Sequence, residues 1–363
     1  MPRQTASHSC RMRSPAVRPR QVGVAMLRGS DRLLCPLTVC RCVSVQVPVT
    51  VPAEPASGRH IHDVTGARPV PNFHPSLRCT HSVAASGEIA IRPMTRTEVG
   101  IAVDWAEREG WNPGLSDGEC YYAVDPKTFF AVLLDGRLVG SFSIMVYPDE
   151  FAFGGFYILD PEYRGRGIGL AIQECADRLA GPYNFGIDGV FEMQDRYRAH
   201  GFLFSHRNIR YEGLGGGSCP PGLADAANVP FDALVRYDAR HFPAERPEFL
   251  RHWLAQPGAT ALAVLEDGEV RGYGQVRPCR RGAKIGPLFA DTPEIAERIY
   301  SGLAAALPGQ PLFLDVPEPN GAGVLLAERH GTVPVFGTAR MYTKEIPDLP
   351  LDECYGVMSF ETG

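Results

Sequence analysis

The stretch AVLLDGRLVGSFSIM, which begins at Ala131, returns as AVLEDGEVRGYGQVR from Ala263. Each copy reads as two strands around an Asp-Gly turn, Asp135-Gly136 and Asp267-Gly268, with Gly140 matched by Gly272. A second echo follows at a similar interval, where RAHGFLFSHRNIRY from Arg198 is answered by ERHGTVPVFGTARMY from Glu328. Chance accounts for either echo alone; two units of one fold in tandem account for both. With 363 residues, 44% of them hydrophobic, the chain has the material for two cores.

Ordered texture begins at Glu88. EIAIRPM alternates as a first strand, and TRTEVGIAVDWAEREG follows a helical period, with Ile101 and Trp105 one turn apart and Gly110 closing it. FAFGGFYIL makes a further strand after the first hairpin, and EGLGGGSCPPG reads as a linker. The expected organisation is a disordered extension over 1–87, a first domain over 88–212, a linker over 213–230 and a second domain over 231–363.

The net charge of −5 hides an asymmetry: the extension is rich in arginine and poor in acids, so the remainder is distinctly acidic. That argues against a nucleic-acid surface on the folded part. The ten cysteines are scattered rather than arranged as a disulfide framework, which points to a reducing cytoplasm. The one close cluster, Cys35, Cys40 and Cys42, lacks zinc spacing, so no metal is expected. No run reaches the roughly eighteen apolar residues of a membrane span, and no membrane association is expected.

The stretch most suggestive of chemistry is ILDPEYRGRGIGLAIQECA, Ile158 to Ala176. A strand leads into Arg164-Gly165-Arg166-Gly167-Ile168-Gly169 and then a helix, which places bare backbone N–H groups at a helix N-terminus beside two cationic side chains. Such a place receives a phosphate or pyrophosphate. The spacing fits neither G-x-x-x-x-G-K-[ST] nor G-x-G-x-x-G with its downstream acid.

The spacing is R-x-x-G-x-G after a strand and a proline, carried by Leu159, Pro161, Arg164, Gly167 and Gly169, and downstream stands Y-x-x-x-G-F, Tyr197 to Phe202. Here the sequence resembles the GNAT family of acyl-CoA-dependent N-acyltransferases. Over 89–363, with GWNPG, KIGPLFAD, DVPEPN and GVMSFETG, it resembles a two-unit subgroup with a YitH-like C-terminal domain. The resemblance implies an α/β fold of tandem GNAT-like mixed sheets flanked by helices, the first splayed at its fourth and fifth strands with the thioester in the gap. It also implies acetyl-CoA as co-substrate, bound by Tyr157, Leu159, Arg164, Gly165, Arg166, Gly167, Ile168, Gly169 and Leu170. Tyr197 stands where many members keep the acid that protonates the departing thiolate; the other reading is a core tyrosine. The Asn that many members carry before this tyrosine is absent from GVFEMQDRY.

For the base, Asp188 and Glu150 are the nearest acidic candidates, and an ordered water is the alternative. Trp111, Asp117 and Tyr121, in EGWNPGLSDGECYY, are candidates for gripping an amine by ring face and carboxylate; equally, Trp111 fills the core and Asp117 caps a short helix. Cys120 has no sequence neighbour that would make it a nucleophile. In the second unit, KIGPLFADTPEIAERIYSGL keeps strand and helix but has lost R-x-x-G-x-G, so no second coenzyme site is expected there. Its polar candidates are Arg277, Asp315, Glu318, Asn320 and Arg340, with Asn320 also a plausible N-cap. The expected activity is direct acetyl transfer to a small-molecule or peptide amine, an oligomer being left open; the rival is a non-enzymatic acyl-CoA sensor.

Overall fold

The computed structural model describes Cys79–Val83 and residues 87–363; the expectations for the rest of the extension lie outside the described residues. Cys79–Val83, assigned from the sequence to the disordered extension, instead form strand β1, antiparallel to β2 (Gly87–Pro93) with Cys79 opposite Ile91. A free sheet edge offers unpaired backbone groups, and β1 satisfies them.

The first half continues through α1 (Arg96–Arg108), α2 (Asp117–Val124), β3 (Phe129–Leu134), β4 (Arg137–Tyr147), β5 (Phe151–Leu159), α3 (Ile168–Ala180), β6 (Asn184–Val190), α4 (Gln194–Ala199) and β7 (Leu203–Leu214). The second half runs through β8 (Ala224–Asp225), α5 (Phe231–Asp238), α6 (Pro247–Leu254), β9 (Thr260–Glu266), β10 (Glu269–Pro278), β11 (Ala283–Ala290), α7 (Pro293–Ala305), β12 (Pro311–Pro317), α8 (Gly321–Arg329), β13 (Val333–Tyr342) and β14 (Cys354–Gly356). Local chemistry accounts for many boundaries. Thr95 and Glu98 close a capping box on α1, Thr292 caps α7 ahead of Pro293, and Asn320 accepts from the Gly323 amide at the start of α8. Both Asp-Gly turns have positive φ at each residue, 49° and 79° in the first and 51° and 83° in the second, as tight hairpins require.

The repeat read from the sequence is a structural one. A side chain at Gly140 would place its Cβ 2.9 Å from the carbonyl oxygen of Ile158, and one at Gly272 would lie 2.9 Å from that of Phe289, so the same close strand approach excludes a side chain in both halves. The strands run β1-β2-β3-β4-β5-β6-β13-β7-β12-β11-β10-β9-β8 in one mixed sheet. The last strand of each half is thus exchanged: β13 pairs with β6, and β7 pairs with β12. Each exchanged strand follows a His-Gly turn, His200-Gly201 and His330-Gly331.

On one face a single core is shared. Tyr121 and Phe129 of the first half pack with Phe249 and Trp253 of α6, all four essentially inaccessible. On the other face α3 covers the first half and α7 the second, each over its own core. Three buried Arg–carboxylate pairs join the halves. Arg210 meets Asp315 with two bonds of 2.7 Å, Arg277 meets Asp117 at 2.8 and 3.1 Å, and Arg340 meets Asp188 at 2.6 and 3.0 Å.

Removing one member of such a pair strands a charge out of water at a cost of about 3–5 kcal/mol. Asp315→Ala, which leaves Arg210 and the nearby Lys284 without their carboxylate, is expected to lose stability of that order in urea denaturation. Because the halves share strands and a core, Trp111 and Trp253 should report one coincident transition in the wild type.

Candidate functional site

The sheet opens where β5 and β6 part. They pair in parallel only from Phe151 opposite Asn184 to Gly154 opposite Ile187. Beyond that point β5 carries a bulge, with Phe156 and Tyr157 inserted between the partners of Ser143 and Ser141, and Phe156 takes φ +48°. A bulge bends and twists its strand, and here it turns β5 away from β6. The opening is a cleft of about 690 Å³ lined by Gly154–Leu159 of β5, by Ile187–Val190 at the end of β6, by the start of α3 and by Tyr197. That volume suits an extended ligand.

The start of α3 closes one end. Gly167 is the N-cap with φ +83°, and no side chain accepts from the first helical amides. Leu159, Arg164, Gly165, Gly167, Gly169, Leu170 and Tyr157 all line the cleft. Two residues expected beside them do not. Arg166 stacks its guanidinium 5.0 Å from the Tyr163 ring centre, and Ile168 is wholly buried in the core beneath α3. Arg164 turns back along the loop, donating to the Leu159 carbonyl at 2.8 Å and pairing with Glu109. Its side chain therefore braces the loop beside the amides.

Tyr197, on α4, stands across the cleft with its ring against Gly189 of β6 and edge-on to Phe202. Burial pushes its phenol up to about 12, so the hydroxyl keeps its proton across the physiological range. Such a group can donate a proton but does not accept one.

Asp188 lines the cleft but is fully committed. Its carboxylate accepts from Arg340 twice, from Asn208 at 2.8 Å and from Thr338 at 3.3 Å. Three of these donors fall on Oδ1 and one on Oδ2, and the side chain is inaccessible, so the carboxylate is neutralised by Arg340 and its expected role as base gives way to that of a strand clamp. Glu150 sits on the turn before β5, at the end of that strand away from the cleft.

Of the acceptor candidates, Trp111 lines the cleft and Asp117 and Tyr121 do not. Asp117 is buried against Arg277 and also accepts from the Gly114 amide at 2.9 Å. Tyr121 is inaccessible, stacked with Phe249 and Trp253 and hydrogen-bonded to Ser359 at 3.1 Å. Of the polar residues singled out in the second half, Arg277, Asp315 and Arg340 are the ion-pair partners above, Asn320 is a cap, and Glu318 is exposed and does not line the cleft. Cys120 is buried, and desolvation pushes its thiol well up. Among the described residues no three His, Cys, Asp or Glu side chains gather as a metal site.

Sequence reasoning missed the second half's contribution to the cleft, namely Phe336, Thr338, Phe360 and Glu361. The segment GVMSFETG was visible as a family-like run, but nothing local revealed that it crosses back to the first half. The equivalent gap in the second half is filled. There β11 and β12 pair only from Ala283 opposite Leu312 to Ile285 opposite Leu314, and β14 then takes the place beside β11, with the Val357 amide bonded to the Asp315 carbonyl.

Comparison with known proteins agrees with this geometry. Residues 98–202 match the acetyltransferase (GNAT) family, and residues 234–356 match an acetyltransferase (GNAT) domain. The chain is 26% identical over 275 residues to the holothin acyltransferase of Pseudoalteromonas sp., covering 75% of this chain and 94% of that protein. It is 23% identical over 225 residues to the uncharacterized N-acetyltransferase YitH of Bacillus subtilis, covering 57% of this chain and 75% of the relative. The fold is similar to that of a putative acetyltransferase from Pyrococcus horikoshii, with a TM-score of 0.66 at 22% identity, over 80% of this chain and all of the other. It also resembles a tandem GNAT protein from the clavulanic acid biosynthesis pathway, at a TM-score of 0.51 and 14% identity, over 71% of this chain and all of that one. The chain belongs to the GNAT acyltransferases, a family that uses an acyl-CoA co-substrate, and carries two GNAT domains in tandem.

A Cβ at Gly167 would hold an L-residue in the left-handed region at a cost of roughly 1–2 kcal/mol. Gly167→Ala should therefore distort the loop and weaken coenzyme A binding by about tenfold, since each 1.4 kcal/mol is a factor of ten. Calorimetric titration with coenzyme A checks this.

Proposed function

We propose that the chain transfers an acetyl group from acetyl-CoA to the primary amine of a small molecule or peptide, by direct attack of the amine on the thioester. The carrying observation is the cleft itself, open between β5 and β6, with free helical amides at one end and a proton-bearing tyrosine on its wall. The amides of α3 and the loop before it would hold the pyrophosphate, and the unpaired edge of β5 beyond Gly154 would hold the pantetheine arm. When bound, the coenzyme supplies an activated acyl group. Tyr197 then meets the need of the leaving side, because a phenol raised to about 12 retains the proton that a thiolate must receive. The relative named as a holothin acyltransferase, of which 94% is covered, supports acyl transfer and leaves the acceptor and the acyl chain to be identified.

The test is release of coenzyme A thiol from acetyl-CoA and longer acyl-CoAs, screened against pooled polyamines, amino acids, arylalkylamines and basic peptides. Tyr197→Phe is expected to lower turnover about 10²–10⁴-fold, the usual share of a general acid, while leaving acyl-CoA affinity within twofold. Tight acyl-CoA binding with no turnover in any pool would overturn the transferase in favour of a sensor.

A further inference from the structure

A base is still required, since Asp188 is buried in its ion pair with Arg340 and Glu150 lies away from the cleft. Among the described residues with a buried polar atom that has no hydrogen-bond partner, Glu361 is one that lines the cleft. It is 4% exposed, it lines the cleft, and its Oε2 is buried with no hydrogen-bond partner. Among the described residues it joins no ion pair, although the cationic groups Lys284, Arg210 and Arg277 and the anionic Asp117 all act on it electrostatically. The pairs Arg210–Asp315 and Arg277–Asp117 absorb both guanidinium groups, and the Lys284 ammonium, itself buried without a hydrogen-bond partner, stands 3.9 Å from Asp315. A carboxyl so placed costs stability unless something else compensates.

Its position is fixed by several contacts. Ser359 Oγ accepts from the amides of Glu361 and Thr362 at 3.1 and 3.2 Å, Tyr121 shares a hydrogen bond with Ser359, and Tyr147 donates to the Thr362 carbonyl at 3.1 Å. This holds Glu361 directly over Gly155, where an added Cβ would fall 2.7 Å from the Glu361 carbonyl oxygen and 3.0 Å from its Cβ. Gly155 is the first residue of β5 beyond the parting of the strands, and Leu159, whose carbonyl accepts from Arg164 of the loop before α3, lies roughly 13 Å further along the strand at about 3.3 Å per residue. Glu361 is thus at the root of the cleft, the end opposite the anion site. Phe336, Phe360 and Trp111 line the same cleft and make it apolar around the carboxylate.

We infer that Glu361 is the acceptor's anchor and base: its carboxylate holds the ammonium group of a primary amine borne on an alkyl or arylalkyl body and takes its proton. The inference rests on the acyltransfer reading above. One proton passes from the ammonium to Glu361, and the freed lone pair forms the C–N bond at the thioester carbonyl. The C–S bond breaks, the thiolate takes the phenolic proton of Tyr197, and the second proton shed by the nitrogen restores that phenol. Glu361 returns its proton to solvent. Burial raises the carboxyl of Glu361 above the ordinary range, against the lowering by Lys284, Arg210 and Arg277, which moves it toward the pH at which a base works best. The rate should rise as pH rises through that value, because only the ionised form accepts the proton.

The experiment is calorimetric titration of the full chain, saturated with coenzyme A, with phenethylamine and with propylamine, for wild type, Glu361→Gln and Glu361→Asp. The expected result is amine binding by the wild type, at least tenfold weaker binding by the Gln variant, and intermediate binding by the Asp variant, with coenzyme A affinity equal in all three. Glu361→Gln should be no less stable than wild type in urea, since it removes a buried unpaired carboxyl, and this separates an acceptor role from a structural one. Equal amine affinity in wild type and the Gln variant overturns the inference, as does absence of amine binding to the coenzyme-loaded wild type. Failure of the wild type to bind coenzyme A at all overturns the acyltransfer reading, and the inference with it.

Discussion

The exchange of β7 and β13 governs the rest of the structure. Neither half completes its own sheet, because the strand beside β6 belongs to the second half and the strand beside β12 to the first. Backbone hydrogen bonds set the exchange, and the buried ion pairs fix its register, since Arg210 on β7 must meet Asp315 on β12 and Arg340 on β13 must meet Asp188 on β6. A one-residue slip would turn each of these side chains to the opposite face and strand two charges. The described residues accordingly fall within a single compact unit.

Within that frame two equivalent gaps have different fates. Both arise where a parallel pair stops after a few residues and a bulge bends one strand away, between β5 and β6 and again between β11 and β12. In the second half the chain's own β14 satisfies the edge of β11. In the first half the edge of β5 is left facing a cleft, and an extended ligand arm can meet it. The half that lacks the glycine-arginine loop, ahead of α7, is thus also the half whose gap is filled.

Local features were legible in the sequence because their causes are local. The Asp-Gly hairpins, the cap Asn320 and the glycine loop before α3 each depend on the chemistry of a few consecutive residues. The charged candidates misled because their partners are remote in sequence: Arg277 lies 160 residues from Asp117, Arg210 lies 105 from Asp315, and Arg340 lies 152 from Asp188. A lone Asp on a strand looks like a cleft residue until the arginine that neutralises it is known. Glu361 escaped for a related reason: its importance lies in lacking a partner, which no linear pattern records.

The crossing of Val357–Gly363 from the filled gap to the root of the open one divides the cleft between the halves. One wall and the glycine loop belong to the first copy of the repeat, whereas Phe336, Thr338, Phe360 and Glu361 belong to the second. Changes in that short segment can reshape which molecule enters the root of the cleft while the glycine loop and its helix stay as they are.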